Sequence, residues 1–271
     1  MTAPNDSTAR TSPPAGGRCA RTIAVTSGKG GVGKTFISAN LAAALSRRGE
    51  RVLVLDADLG LANLDVVLNL HPKITLHDVF TGKAELEEAI LPAPGGFSVL
   101  LAGSGMVEYS RLTSEVRDQL LAIIDKVKPR FDYILLDTGA GISDVVLFAV
   151  SLADQVLVVA TPEPTSMTDA YATIKVLATQ QSRRAIKLVV NQVGRLGEGR
   201  TIRGQLQQVV DRYVSPLLGG PSEALKLELV GEVPTDTAVR EAILRRQLLM
   251  EMLPGCAAAK AIGLLADKLL A

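Results

Sequence analysis

Tryptophan is absent and aromatic residues make up only 3% of the chain. Few rings are available for unpaired bases to stack on, which disfavours single-strand nucleic-acid binding by that route. Charge of one sign is equally scarce, because 29 basic residues face 28 acidic ones for a formal charge of +1. No overall field recruits polyanions, although a local basic patch stays open. Cysteine occurs only at Cys19 and Cys256, and there are two histidines. They form no metal-ligand spacing and no disulfide framework, which points to a reducing, cytoplasmic setting. No run approaches 18 consecutive apolar residues, and the first twenty residues lack the apolar core of a signal peptide. The expectation is a chain neither secreted nor membrane-spanning.

What is present is aliphatic. Hydrophobic residues make up 47% of the 271, so the core must be built from Ala, Leu, Val and Ile, a composition typical of α/β folds. This length fits one domain with a short tail, burying roughly 70 to 75% of its unfolded surface without a metal or disulfide staple. Residues 1–20 are rich in Pro, Ser, Thr, Ala and Gly and read as a flexible leader. From Arg21 to Ala271, seven apolar runs (TIAV, RVLVL, FSVLL, YILLD, QVLVVA, IKLVV and LELVG) alternate with segments of helical periodicity. The helices are expected at Thr35–Arg48, Ser114–Lys128, Thr168–Gln180, Thr201–Tyr213 and Thr235–Met250. Continuous apolar strands need cover on both faces. The expected fold is therefore a doubly wound, mostly parallel sheet of about seven or eight strands with helices on both sides. Ligands bind such sheets beyond the carboxyl ends of the strands.

Directly after the first run stands Gly28-Lys29-Gly30-Gly31-Val32-Gly33-Lys34-Thr35, followed by Phe36. It matches the phosphate-loop pattern GxxxxGK[ST] between a strand and a helix. Glycines let the backbone curl so that successive N–H groups face phosphate oxygens, and the helix N-terminus adds its dipole. Lys34 would neutralise the β- and γ-phosphates, and the Thr35 hydroxyl would enter a Mg²⁺ shell. Lys29 cannot easily fold back onto phosphates that Lys34 already occupies. It can serve a partner subunit, or stand as a solvated loop lysine. Asp56 and Asp58 follow the second run, and Asp137 follows the fourth, ahead of Thr138-Gly139-Ala140-Gly141. Carboxylates at these positions can hold Mg²⁺ through water or orient an attacking water, and they can also cap helices.

These residues resemble the MinD/ParA family of deviant phosphate-loop ATPases, whose mark is KGGxGK[ST] with an additional signature lysine, here Lys29. Within it, DADLGLANLDVVL, TLHDVF, DTGAGI, PEPTSMTDAYATIKVL and VGEVPTDTAVREAI look most like the flagellar branch, FlhG/FleN (also called YlxH). The similarity covers about residues 21–271. It implies an ATP-dependent homodimer in which Lys29 reaches the other subunit's phosphates, with slow, dimer-dependent hydrolysis. It further implies that Asp58 positions the hydrolytic water, that Asp56 and Asp137 hold the Mg²⁺ shell through water, and that Thr35 ligates the metal. Asn191 matches the adenine-reading position, with Pro234 and Asp236 walling the base; Asn191 also fits a polar cap at a strand end.

In that branch the expected partners are an FlhF-like GTPase, a FleQ-like transcription activator or flagellar basal-body components. Two departures stand out. The leader holds no DQAxxLR-like segment, the feature by which some members activate FlhF. The chain's last segment, AAAKAIGLLADKLLA, carries little basic charge, and Ile262, Leu265, Ala266 and Leu269 form a stripe suited to core packing. Membrane association is therefore expected to be weak or indirect, at most transient at the inner membrane face or the cell pole. No direct nucleic-acid binding is expected. The alternatives are a division-site or cargo-positioning ATPase of the MinD or ParA kind, and an iron–sulfur carrier or synthetase on the same scaffold. A carrier would need a CxxC pair, and the sequence holds none.

Overall fold

A computed structural model describes residues 19–59, 63–103, 112–219 and 224–271. The leader expected over residues 1–20 lies outside them except for Cys19 and Ala20. Eight strands form one sheet: β1 (Arg21–Ser27), β2 (Val52–Ala57), β3 (Ile90–Pro92), β4 (Ser98–Leu100), β5 (Tyr133–Ala140), β6 (Gln155–Ala160), β7 (Ala185–Val193) and β8 (Lys226–Pro234). Their order is β3-β4-β2-β5-β1-β6-β7-β8. Every neighbouring pair is parallel except β3 with β4. The seven apolar runs are the parallel strands. The extra strand, β3, is a three-residue edge piece ending at Pro92, where a missing N–H costs no ladder bond.

Eleven α-helices are described: α1 (Lys34–Ser46), α2 (Leu64–Leu68), α3 (Leu76–Phe80), α4 (Leu86–Ala89), α5 (Ser114–Val127), α6 (Asp144–Ser151), α7 (Pro164–Gln180), α8 (Glu198–Tyr213), α9 (Thr237–Arg245), α10 (Leu249–Met252) and α11 (Ala257–Leu270). Strand residues alternate between two cores. Leu53, Leu55 and Ala57 join the core beneath α3 to α8, while Val52 and Val54 join that beneath α1, α2 and α9 to α11. That is the period-two pattern of a sheet covered on both faces.

Helix α1 is buried along Phe36–Leu45, because it is sandwiched between the sheet and α11. This explains its shortage of polar residues. The α11 stripe, Ile262, Leu265, Ala266 and Leu269, is buried, and Leu264 stands off it at 64% exposure. The single helix expected over Thr235–Met250 is instead α9 and α10. Arg246 closes α9 in the left-handed region at φ 52°, and α10 is then fixed by the Met250 N–H donating to Asn40 Oδ1 at 3.0 Å. No helix among the described residues is long and apolar enough to cross a membrane.

Candidate functional site

The loop between β1 and α1 lies at the carboxyl edge of the sheet, beside the ends of β2 and β5. Its backbone requires glycine at three points. A Cβ at Gly28 would sit 2.1 Å from the Asp169 carbonyl oxygen of α7. Gly31 and Gly33 adopt φ of 78° and 96°, a region that side chains disfavour. Gly33 leads into α1 with no side-chain cap and no acidic residue in the first turn. The opening N–H groups of α1 therefore remain available to an anion. Val32 packs into the α1-side core.

The charged side chains divide between two directions. Lys34 Nζ donates to Ser27 Oγ at 3.1 Å. Burial lowers its pKa, against the opposing pull of Asp137 and Asp58. Lys29 Nζ instead contacts Glu163 Oε2 at 2.7 Å and Thr165 Oγ1 at 2.8 Å, at the start of α7.

Asp56 and Asp137 are register partners on β2 and β5, so their side chains leave the same face of the sheet. Both are buried. Burial pushes the Asp137 carboxyl up to about 6, while hydrogen bonds from Thr35 and Ser38 and the charge of Lys34 pull the other way. The Ser38 hydroxyl donates to Asp137 Oδ1 at 2.9 Å. Burial, and then the Asp137 charge, raise Asp56 well above the usual carboxylate range. Asp58 N–H donates to Asp56 Oδ1 at 3.2 Å. The Asp58 carboxylate lies beside Gly139, where a Cβ would come within 3.3 Å of it. Two buried carboxylates beside a threonine hydroxyl form an oxygen-rich donor set that suits a hard divalent cation. The uncapped helix start and Lys34 suit the phosphates it would accompany.

Lys34, Thr35 and Asp58 line a cleft of about 750 Å³, together with Asn63, Thr138, Gly139 and Ser143. Gly31, Gly33 and Phe36 also border a second cleft of about 340 Å³, whose walls include Asn191, Gln192, Pro234, Asp236 and Arg240. Asn191 Nδ2 donates to the Val32 carbonyl at 2.8 Å, tying β7 to the phosphate loop. The Asp236 carboxylate turns to backbone, accepting from Ala238 N at 2.9 Å and Ala258 N at 3.2 Å. Those bonds hold its pKa below the usual range. Ser38, Asn63, Ser143, Gln192 and Arg240 join these surroundings from outside the sequence motifs. Ser38 carried a usable signal, since three residues after Thr35 is one helical turn and places both hydroxyls on one face.

A family profile described as an AAA domain matches residues 20–190. The antiactivator FleN of Pseudomonas aeruginosa is 40% identical over 246 residues, 91% of this chain and 85% of FleN. The chain belongs to the MinD/ParA family. The flagellum site-determining protein YlxH of Helicobacter pylori is 34% identical, with 91% of this chain and 82% of YlxH covered. Among solved structures, the cell division ATPase MinD of Pyrococcus furiosus superposes with a TM-score of 0.72 at 29% identity, covering 92% of this chain and 98% of that one. MinD of Pyrococcus horikoshii, complexed with Mg-ADP, gives 0.71 at 28% identity, covering 92% and 96%. This MinD/ParA chain is accordingly an ATPase, and its doubly wound sheet is that of the family's phosphate-loop fold.

Proposed function

We propose that the chain is an ATP-driven dimerisation switch that sets flagellar number or placement by binding protein partners. The observation that carries the switch is the divergence of its two loop lysines. Lys34 lies among Ser27, Asp58 and Asp137, whereas Lys29 is directed to the exposed start of α7. A lysine turned out of its own cleft, and held there only by an exposed pair with α7, can reach the phosphates of a second copy once that pair opens. The similarity to FleN and YlxH over most of the chain supports the flagellar output.

In this reading Lys34 and the loop N–H groups bind and orient the β- and γ-phosphates. Thr35, with Asp56 and Asp137 behind it, would hold Mg²⁺, and Asp58 would orient water. Asn191, Pro234 and Asp236 border the base. ATP would supply the phosphoryl group, and Mg²⁺ would neutralise the charge on it. The protein's part is positioning and charge, so the output is a change of binding surface. The expected partners are an FlhF-like GTPase or a FleQ-like activator, met in the cytoplasm.

Sizing the purified protein with ATP, with ADP and without nucleotide tests the switch. The wild type should dimerise only with ATP. Asp58→Ala should accumulate the dimer, because binding survives and hydrolysis does not. Lys29→Ala should bind ATP and stay monomeric. A Lys29→Ala protein that dimerised like the wild type would overturn the reading. Removal of the gene from its host should alter flagellar number; misplaced septa with normal flagella would assign it to division-site positioning instead.

A further inference from the structure

Glu163 occupies the N-cap position of α7, yet its side chain makes no capping bond to its own helix. Pro164 follows at the first helical position and removes one N–H that a cap would serve. The carboxylate turns instead to Lys29, at 2.7 Å. Thr165, two residues after Glu163, accepts a second bond from the same ammonium at 2.8 Å. Two side chains flanking Pro164 at the start of one helix therefore grip the lysine that distinguishes this phosphate loop.

The backbone explains why the grip can form. Gly28 is pressed against α7, with room for no Cβ before the Asp169 carbonyl, so the next residue of the loop emerges beside the helix start. Ser27 Oγ donates to the Lys29 carbonyl at 2.7 Å and fixes the main chain from which the side chain leaves. The Lys29 and Glu163 side chains remain 36% and 61% exposed. Nothing buries the pair, so it can open without unfolding any element.

From this geometry we propose that Glu163 and Thr165 are positioning residues that latch Lys29 in cis and set the ATP threshold for dimerisation. The inference rests on the reading of Lys29 as the residue that reaches a second copy. An ammonium held by Glu163 and Thr165 must release them before it can contact another subunit's phosphates. The latch therefore competes with dimerisation and keeps the free chain monomeric at low ATP. An exposed ion pair with one supporting hydroxyl is weak, which suits a threshold that phosphate charge can overcome.

The test is the ATP concentration at half-dimerisation, read by analytical ultracentrifugation, for Glu163→Gln, Thr165→Val, Thr165→Ser and Lys29→Ala. Glu163→Gln should dimerise at about two- to five-fold less ATP than the wild type, the range an exposed pair supports. Its melting temperature without nucleotide should be unchanged. Thr165→Val should shift the threshold less, in the same direction, and Thr165→Ser should match the wild type. If Glu163→Gln needs as much ATP as the wild type or more while Lys29→Ala stays monomeric, the latch is wrong and the role of Lys29 stands. If Lys29→Ala dimerises normally, the role of Lys29 and the latch fall together.

Discussion

The two clefts proposed to take the phosphates and the base of one nucleotide are built on different principles. At the phosphate end, Ser38, Asp56 and Asp137 are buried and a lysine is drawn into the same polar cluster. At the base end, the walls from α9 are exposed, with Ile243 at 53% and Leu244 at 74%. There the polar groups are already engaged with backbone, Asn191 on Val32 and Asp236 on Ala238 and Ala258. The phosphate end carries an electrostatic cost in the free chain, from the burial of Asp56 and Asp137, that a bound cation would relieve. The base end carries almost none. Substitutions at the first end should trade stability against binding, whereas those at the second should act through ordinary local structure.

The largest effect follows from removing the cation. Lys34→Ala leaves the loop N–H groups as the main counterweight to a triphosphate and deprives Asp137 and Asp58 of the positive charge that acts on them. Charge-assisted bonds to two phosphates are worth about 1.5 to 3 kcal/mol each. ATP affinity measured by titration calorimetry should fall at least about a hundredfold. A loss under about tenfold would mean that the backbone alone carries the phosphate end.

Next in size is a gain of stability. In the folded chain Asp137 is raised from 3.8 to about 6, so over that interval the native state binds more protons than the unfolded state. Stability contributed by this group is present below about pH 4 and is lost as pH rises through about 6. Asparagine can still accept a bond from Ser38 without a buried charge. Without nucleotide or metal, Asp137→Asn should match the wild type near pH 4 and exceed it by about 3 kcal/mol above pH 6, at about 1.4 kcal/mol per pKa unit. Urea unfolding at pH 4.5 and 7.5 measures the difference. A variant no more stable than the wild type at pH 7.5 would remove the stored cost from the comparison.

The two ends also differed in how far the sequence disclosed them. The phosphate end is one contiguous motif plus carboxylates at strand ends, and a strand followed by glycine fixes where such residues must lie. The seven parallel strands were legible for a related reason: burial on both faces demands unbroken β-branched runs. Strand β3 was not, because three residues of an edge hairpin carry no periodicity. The break between α9 and α10 was hidden too, since Arg246 gives no local sign of its left-handed backbone. Asn191 could be marked as polar at a strand end. Its bond to Val32 joins residues 159 apart, and only the packing of β7 against the loop reveals it.

A smaller effect is expected where the two ends meet. Gly33 has φ 96°, and a Cβ there would lie 2.5 Å from Asn191 Nδ2. Gly33→Ala combines a strained backbone, about 1 to 2 kcal/mol, with displacement of the amide that holds Val32. The melting temperature should drop by several degrees. Asn191→Ala removes the obstructing amide, so in its background the same glycine change should cost less. Equal costs in both backgrounds would show that the contact is not what glycine avoids.

The smallest effect should come from Asp236, and it bears most directly on whether the base end is a binding surface or a structural corner. Its carboxylate caps α9 through Ala238 and also holds Ala258, near the start of α11. Loss of such a cap costs about 1 kcal/mol, so Asp236→Ala should be destabilised by about that much in chemical denaturation. With both bonds committed to backbone, little of the carboxylate is left to read a base. ATP affinity at a temperature where the variant is fully folded should therefore change less than about threefold. A tenfold loss of affinity with unchanged stability would reverse the assignment. The carboxylate would then have to leave its caps when nucleotide enters, and the base end, like the phosphate end, would be held in a posture that only the ligand relieves.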